Sequence, residues 1–271
     1  MPYIRVNGIR LAFDAYGDMN KPPLFAVHGL TSCRMSLEAL LTPEVAKNHY
    51  VILYDCRGHG QSDKPAAFTL EDHGRDLLAL IDTLGYDQAD VLGISMGSYI
   101  VMQAAVLDSS KINHLIAGVG RSYDEGYGSS TAAYLKRKGV ELSEITQEEM
   151  DKLLDEAFWS PFATEEQKQK FRAAGERMRK NPNYVELTPE NRAAISASLK
   201  GFDLRPQLPG IQCKALAVSA RYDGLNPMEY GQEIAGLIPG CRMEIMEKSG
   251  HMSTSEERER WVEMIESFLA E

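Results

Sequence analysis

Three residue types that together can activate a hydroxyl group occur at separate points of this chain. Ser95 lies between two glycines in GISMG (93–97), and Asp223 and His251 follow further along. A serine hydroxyl is a weak nucleophile at neutral pH and needs a neighbouring base that takes its proton. Histidine suits this task because it titrates close to neutral pH, and a carboxylate orients its ring and stabilises the imidazolium. The three residues therefore predict nucleophilic attack by Ser95, with His251 as base and Asp223 as acid.

The spacing of Gly93, Ser95 and Gly97 is typical of a sharp turn between a strand and a helix. Glycine is needed where neighbouring backbone passes close, and the turn presents the serine at a helix N-terminus. The backbone amide of Met96 would then be one donor of an oxyanion hole, and the amide of Leu30 is the expected second donor. The alternative is a glycine-rich turn without function, which the pentapeptide alone does not exclude.

Short apolar runs that predict strands precede these residues. They cover RLAFDAY (10–16), PLFAV (23–27), YVILYD (50–55), ADVLGI (89–94), NHLIAGV (113–119), KALAVSA (214–220) and RMEIME (242–247). Helical patterns alternate with them over residues 69–85, 228–238 and 255–271. This alternation predicts an α/β fold with a doubly wound, mostly parallel sheet. Such sheets bind ligands at the carboxyl ends of their strands, which is where the three candidate residues fall.

Residues 121–205 interrupt the alternation. Helical patterns cover 146–159, 164–180 and 188–202, each opened by a threonine with a capping signal, and no convincing strand pattern is present. We expect this segment to be an all-helical cap that is inserted late in the chain. The core domain would then comprise residues 1–120 and 206–271.

Composition narrows the class of partner. The 271 residues carry a net charge of -10, which argues against nucleic acid or an anionic membrane as the main partner. No signal-peptide pattern or bilayer-length apolar stretch is present, and the four dispersed cysteines favour free thiols in a reducing cytosol. We expect a cytoplasmic protein that binds a small molecule and needs no metal or organic cofactor. The sequence leaves open whether the chain forms a homo-oligomer.

Over nearly its whole length the chain resembles the α/β-hydrolase fold superfamily. The resemblance rests on VHG (27–29), YDCRGHGQSDKP (54–65), GISMGS (93–98), SARYDGLNP (219–227) and SGHMSTSE (249–256). Within the superfamily, the chain is most similar to serine esterases, lactonases and cofactor-free haloperoxidase-like enzymes. The resemblance implies the same three catalytic residues, Ser95, Asp223 and His251, beneath a helical cap.

The chain departs from the family pattern at two positions, and variation within the family leaves a second candidate for the catalytic acid. Ser98 stands where the family often has glycine, and Leu30 stands where it often has a bulkier or aromatic residue. Some relatives take the acid from the loop after the strand at 113–119. Asp124 lies in that loop and is therefore the alternative to Asp223.

The resemblance implies a serine hydrolase that cleaves a small carboxylic ester or lactone through an acyl-enzyme on Ser95. The same triad also serves thioester or carbon–carbon bond hydrolysis, perhydrolysis and cofactor-free oxygenation, which stay open as alternatives. A third possibility is a ligand receptor or regulatory protein of the same fold with very slow turnover. Haloalkane dehalogenase and epoxide hydrolase chemistry fits less well, because both resemble versions with aspartate at the position of Ser95.

Five further residues are candidates for substrate contact. Phe158 and Trp159 lie in the predicted cap, and packing of cap on core is their alternative role. Arg34 and Arg121 each follow a strand end and could reach an anionic substrate group, with a structural or solvated role as the alternative. His28 ends the strand at 23–27, where it could instead shape the turn by hydrogen bonding.

Overall fold

An eight-stranded, mostly parallel sheet forms the centre of the molecule. The computed structural model describes residues 2–140 and 145–271. The strands are β1 (Tyr3–Val6), β2 (Ile9–Tyr16), β3 (Pro23–Val27), β4 (Tyr50–Tyr54), β5 (Ala89–Ile94), β6 (Ile112–Gly118), β7 (Lys214–Ala220) and β8 (Arg242–Met246). Their order is β1-β2-β4-β3-β5-β6-β7-β8. Strands β3 to β8 pair in parallel, and β1 and β2 form an antiparallel edge.

Helices cover both faces of this sheet, and further helices lie in the segment between β6 and β7. The helices are α1 (Glu38–Leu41), α2 (Leu70–Thr83), α3 (Met96–Asp108), α4 (Ser130–Arg137), α5 (Gln147–Phe158), α6 (Glu165–Lys180), α7 (Pro189–Leu199), α8 (Met228–Leu237), α9 (Ser253–Glu256) and α10 (Arg258–Leu269). Alternate residues of β3 point into two separate apolar clusters. Helices α2, α3 and α8 contribute to one cluster, and α1 and α10 to the other. The predicted α/β fold with a mostly parallel sheet is confirmed.

The element boundaries differ from the prediction at both ends of the chain. Strand β1 was not predicted, although it pairs with β2 through a two-residue turn at Asn7 and Gly8, which have φ of 45° and 79°. An Asn-Gly pair is a strong hairpin signal because both positions need positive φ. The predicted final helix is two helices, α9 and α10, that meet at Glu257. The Glu257 carboxylate accepts hydrogen bonds from residues 248 and 249, a contact that local periodicity does not reveal.

Among the described residues, helices α4 to α7 lie between β6 and β7, in the segment 121–205 that we call the helical insertion. The capping boxes predicted at Thr146 and Thr164 are present, and Thr188 caps α7 with proline in its first turn. Residues 122–124 pair with residues 202–204 through two backbone hydrogen bonds of 2.8 Å. The two ends of the insertion therefore lie side by side where it joins the core. Its residues 141–144 lie outside the described part of the chain, and helix α4 was not predicted.

The four cysteines are free thiols, as their spacing predicts. Burial raises the pKa of the Cys33 thiol to about 11. Over residues 2–140 and 145–271, no helix combines the length and apolar character needed to cross a membrane. The same residues contain no group of three or more His, Cys, Asp or Glu side chains placed to hold a metal ion.

Three buried histidines pack against one another beside the ends of β3 and β4. The rings of His28 and His59 have centroids 4.9 Å apart, and those of His59 and His73 are 6.4 Å apart. Burial lowers the pKa of all three, that of His73 to about 3. The folded protein therefore keeps these rings neutral at acid pH values where the unfolded chain protonates its histidines.

Mild acid is expected to destabilise the fold through these histidines. Because the folded pKa values are lowered, the unfolded chain binds more protons below about pH 6.5, and stability is lost as the pH falls from there towards 3. Each such histidine adds a slope of up to about 1.4 kcal/mol per pH unit. His73→Phe removes one titrating ring where the side chain already packs on Phe68. Urea unfolding of this variant should depend on pH less steeply than that of the parent, and equal slopes would contradict the expectation.

Candidate active site

The carboxyl ends of β5, β7 and β8 bring Ser95, Asp223 and His251 together. His251 Nε2 lies 3.1 Å from Ser95 Oγ, and His251 Nδ1 lies 2.8 Å from Asp223 Oδ2. Asp223 Oδ1 accepts hydrogen bonds from the amides of Leu225 and Asn226, which fix the carboxylate. With Nδ1 donating to Asp223, Nε2 is the acceptor that faces the serine hydroxyl. This order of groups can transfer a proton from the serine to the histidine.

The turn that carries Ser95 is strained and tightly packed. Ser95 has φ 56° and ψ -116°, and its amide donates to the carbonyl of Gly118 at 2.9 Å. A Cβ atom at Gly93 would lie 2.1 Å from the Gly97 carbonyl oxygen, and one at Gly97 would lie 2.1 Å from that of Val27. Both glycines are therefore required for backbone clearance, as their spacing predicts.

Ser98 occupies its position because a neighbouring glycine makes room for it. Its hydroxyl donates to the carbonyl of Ser95 at 2.6 Å, so it adds a hydrogen bond to the turn. A Cβ atom at Gly120 would lie 1.8 Å from Ser98 Oγ. The departure from the family pattern at Ser98 is thus matched by glycine at position 120.

Two loops beside this turn also hold non-glycine residues at positive φ. Thr31 has φ 56° and Val119 has φ 43°, values that β-branched residues rarely adopt. The amide of Val119 donates to Val218 at 2.7 Å, and its carbonyl accepts from Asn226 Nδ2 at 2.7 Å. Strained backbone at several positions near Ser95 supports the hypothesis of a functional site.

A cavity of about 720 Å³ opens beside Ser95. Most of its lining is apolar, and the size is typical of a site for a small molecule. One face of α6 closes it with Phe171, Ala174 and Met178. None of these three residues was among the predicted site residues, although their spacing of three and four indicates one face of a helix.

Leu30 and Met96, the predicted oxyanion donors, both line this cavity beside Ser95. Met96 is the first residue of α3. A Cβ atom at Gly29 would lie 3.6 Å from the Ser95 Cβ, so the backbone that precedes Leu30 passes directly beside the serine. This placement is compatible with two amides that converge near Ser95 Oγ, and the role itself stays a prediction.

The structure brings only two of the five candidate substrate contacts to this cavity. Arg121 and Phe158 line it, and the Phe158 ring packs edge-on against His251 with centroids 5.9 Å apart. Trp159 lies outside it and packs against Phe171 of α6, with ring centroids 5.5 Å apart. Trp159 therefore supports the helix that closes the cavity.

His28 and Arg34, two further candidate substrate contacts, are not among the residues that line the cavity. His28 is fully buried, with Nδ1 2.8 Å from the Gly29 carbonyl and Nε2 accepting from the Cys56 amide at 3.1 Å. Both ring nitrogens are used in shaping the turn. The Arg34 side chain is buried and forms ion pairs with Asp14 and Asp55. These contacts favour the structural roles that the sequence left as alternatives for both residues.

The structure distinguishes the two candidate acids. Asp124 forms a hydrogen bond with Arg121 at 2.8 Å and accepts backbone amides from Gly126, Gly128 and Gly201. These contacts hold the base of the helical insertion together. Asp223, in contrast, is hydrogen-bonded to His251.

The end of α5 is hydrogen-bonded to the loops that carry Asp223 and His251. The amide of Gly224 donates to Ala157 at 3.1 Å, and the amide of Met252 donates to Phe158 at 3.0 Å. The Ser160 hydroxyl adds a bond of 2.7 Å to the carbonyl of residue 248. The helical insertion therefore holds both loops in place, which nothing in the sequence predicted.

The chain belongs to the α/β-hydrolase fold family, whose family model matches residues 22–257. It is 26% identical to a proline iminopeptidase of Heyndrickxia coagulans, over 98% of this chain and 97% of the relative. It is 24% identical to 3-oxoadipate enol-lactonase 2 of Acinetobacter baylyi, over 96% of this chain and 93% of the relative. An enol-lactonase structure from Burkholderia xenovorans LB400 matches with a TM-score of 0.81, 25% identity and 100% coverage of both chains. These relatives are hydrolases that differ in substrate.

Proposed function

We propose that this protein is a serine hydrolase that cleaves a small carboxylic ester or lactone. The observation that carries the proposal is the hydrogen-bonded series Ser95 Oγ, His251 and Asp223, with separations of 3.1 and 2.8 Å. This series lies at the wall of a mostly apolar cavity of about 720 Å³. The geometry fits a nucleophile, a base and an orienting acid.

In this mechanism Ser95 Oγ attacks the carbonyl carbon while His251 Nε2 takes its proton. Asp223 stabilises the imidazolium, and the amides of Leu30 and Met96 hold the oxyanion. The carbon–oxygen bond to the leaving alcohol then breaks, and His251 returns the proton to that alcohol. Water attacks the acyl-enzyme by the same route and releases the acid. With a lactone, the freed alcohol stays attached to the acyl chain.

The helical insertion has the role of a cap in this proposal. Its helix α6 closes the cavity with Phe171, Ala174 and Met178, while the end of α5 holds the loops of the acid and the base. The cap would exclude water from the reacting carbonyl and set the shape of the acyl site. Residues 1–120 and 206–271 would form the core domain.

A panel of matched substrates tests the proposed function. It contains p-nitrophenyl esters of graded acyl length, simple lactones and a thioester of matched acyl group. We expect the highest kcat/KM for short esters or lactones. Preference for the thioester by about tenfold or more, a difference of about 1.4 kcal/mol, would replace the proposal with thioester hydrolysis. Binding of several of these compounds without turnover would instead favour a receptor.

Gly250→Ala is expected to lower kcat because it separates the loop of His251 from the helical insertion. A Cβ atom at Gly250 would lie 2.7 Å from the Phe158 carbonyl oxygen, so the loop must shift. Displacement of a catalytic group by about 1 Å can cost roughly 100-fold in rate. Kinetics with a short p-nitrophenyl ester give the measurement.

The matched control for this variant is Gly236→Ala in α8, where a Cβ atom would meet nothing within 4 Å. It should retain the parent's kcat. Thermal unfolding of both variants separates a shifted loop from general loss of the fold. The expectation fails if Gly250→Ala keeps the parent's kcat.

A further inference from the structure

The charged side chains that line the cavity are all cationic. The described lining contains no aspartate or glutamate and, beside His251, includes Arg121, Lys170, Arg177 and Arg258. The whole chain has 39 acidic and 29 basic residues, so the charge of the lining is opposite in sign to the net charge of -10. Lys170 and Arg258 form ion pairs with Glu166 and Glu44, which lie outside the lining. A lining of this sign favours a negatively charged ligand.

Arg121 is the most deeply buried of the cations that line this cavity. Its side chain is 1% exposed, with Nη2 donating to Asp124 at 2.8 Å and Nη1 3.5 Å from Glu125. Nε and Nη1 are buried and have no hydrogen-bond acceptor among the described residues. A buried donor without an acceptor is costly, so these two nitrogens would gain from oxygen atoms of a ligand that reaches the guanidinium.

The first turn of α4 lies beside Arg121 at the same part of the cavity. Tyr99 contacts both. The Arg121 guanidinium carbon lies 5.8 Å from the centre of the Tyr99 ring, and the Tyr99 hydroxyl lies 3.2 Å from Ser130 Oγ. Ser129, Ser130 and Thr131 at the start of α4 also line the cavity. The N-terminus of a helix carries partial positive charge and favours an anion.

We propose that this protein binds acyl substrates that carry a carboxylate, and that Arg121 and the first turn of α4 bind it. The substrate class is then a half-ester or lactone of a short dicarboxylic acid. Tyr99, whose ring contacts Arg121, lies about one helical turn after Ser95 on α3, a rise of about 5.4 Å along the helix axis. This inference rests on the proposed serine hydrolase function and specifies its substrate.

Two esters of equal acyl length test the inference. They are p-nitrophenyl hemiglutarate, which ends in a carboxylate, and p-nitrophenyl pentanoate, which ends in a methyl group. The parent should prefer the hemiglutarate in kcat/KM, after subtraction of the uncatalysed rate. Charged hydrogen bonds of this kind correspond to roughly 10- to 100-fold, so Arg121→Met should lower the preference by about that factor, mainly through KM.

Arg177→Gln is the second variant, because loss of Arg121 leaves Asp124 without its buried partner and can weaken the fold. Arg177 lines the cavity from α6, whereas Arg179 on the same helix does not. Arg177→Gln should lower kcat/KM for the hemiglutarate more than for the pentanoate. Arg179→Gln is the matched control and should keep the parent's preference.

A binding measurement separates failure of this inference from failure of the proposed function. Ser95→Ala protein is titrated with monomethyl glutarate and with methyl pentanoate in a calorimeter. Tighter binding of the glutarate supports the inference even if no ester is hydrolysed, an outcome that would overturn only the proposed function. Equal affinities, or an ester preference that survives both Arg121→Met and Arg177→Gln, would overturn the carboxylate site.

Discussion

Ser95→Ala abolishes turnover of short p-nitrophenyl esters while the protein stays folded. Alanine removes the hydroxyl oxygen that faces His251 Nε2, and a water molecule in its place cannot form the acyl-enzyme. Loss of the nucleophile of a triad lowers kcat by roughly 10⁴-fold or more. The backbone of the turn should persist, because its strained φ is held by the Gly118 hydrogen bond and by the close packing of Gly93 and Gly97. Initial rates measure the loss of turnover, and circular dichroism measures whether the fold is retained.

The control for this variant is Ser110→Ala, at an exposed position in the turn after α3. It should keep the parent's kcat. Labelling by a fluorophosphonate should mark the parent and fail with Ser95→Ala. Ester turnover that persists in the Ser95→Ala protein would remove Ser95 as nucleophile.

Asp223→Asn lowers kcat by roughly 10³- to 10⁴-fold and changes KM little. The amide cannot stabilise the imidazolium that forms during attack. By donating its N–H to Nδ1, the amide can also favour the His251 tautomer whose Nε2 carries the proton and cannot act as base. Hydrogen bonds from residues 225 and 226 should keep the loop in place, so thermal unfolding should change less than kcat does. Steady-state kinetics of the pentanoate ester measure this effect.

Asp124→Asn is the matched variant, since Asp124 was the alternative acid. It removes the charge that faces Arg121 and weakens the contacts at the base of the helical insertion. We expect a lower midpoint of thermal unfolding and a loss of kcat on the pentanoate ester far smaller than that of Asp223→Asn. If Asp124→Asn caused the larger loss of kcat, the assignment of the acid to Asp223 would be wrong.

The sequence by itself determined the α/β class, the strand ends and the residues that meet there. Strand and helix periodicity and threonine caps depend on neighbouring residues, so they can be read from one chain. Parallel strands end at the same edge of a sheet, which explains how Ser95, Asp223 and His251 could be expected to converge. The glycine requirement at Gly93 and Gly97 followed from the same local reasoning. Strand β1 was missed even though its signal, Asn7-Gly8, is local.

Only the tertiary structure decided which polar side chains reach the cavity. His28, Arg34 and Arg121 all lie near strand ends, but partners distant in sequence occupy His28 and Arg34, while two nitrogens of Arg121 stay without an acceptor. The bonds from α5 to the loops of Asp223 and His251 likewise join residues about 65 to 95 positions apart in sequence. Such contacts depend on how the helical insertion packs against the core, and no short-range pattern encodes that packing.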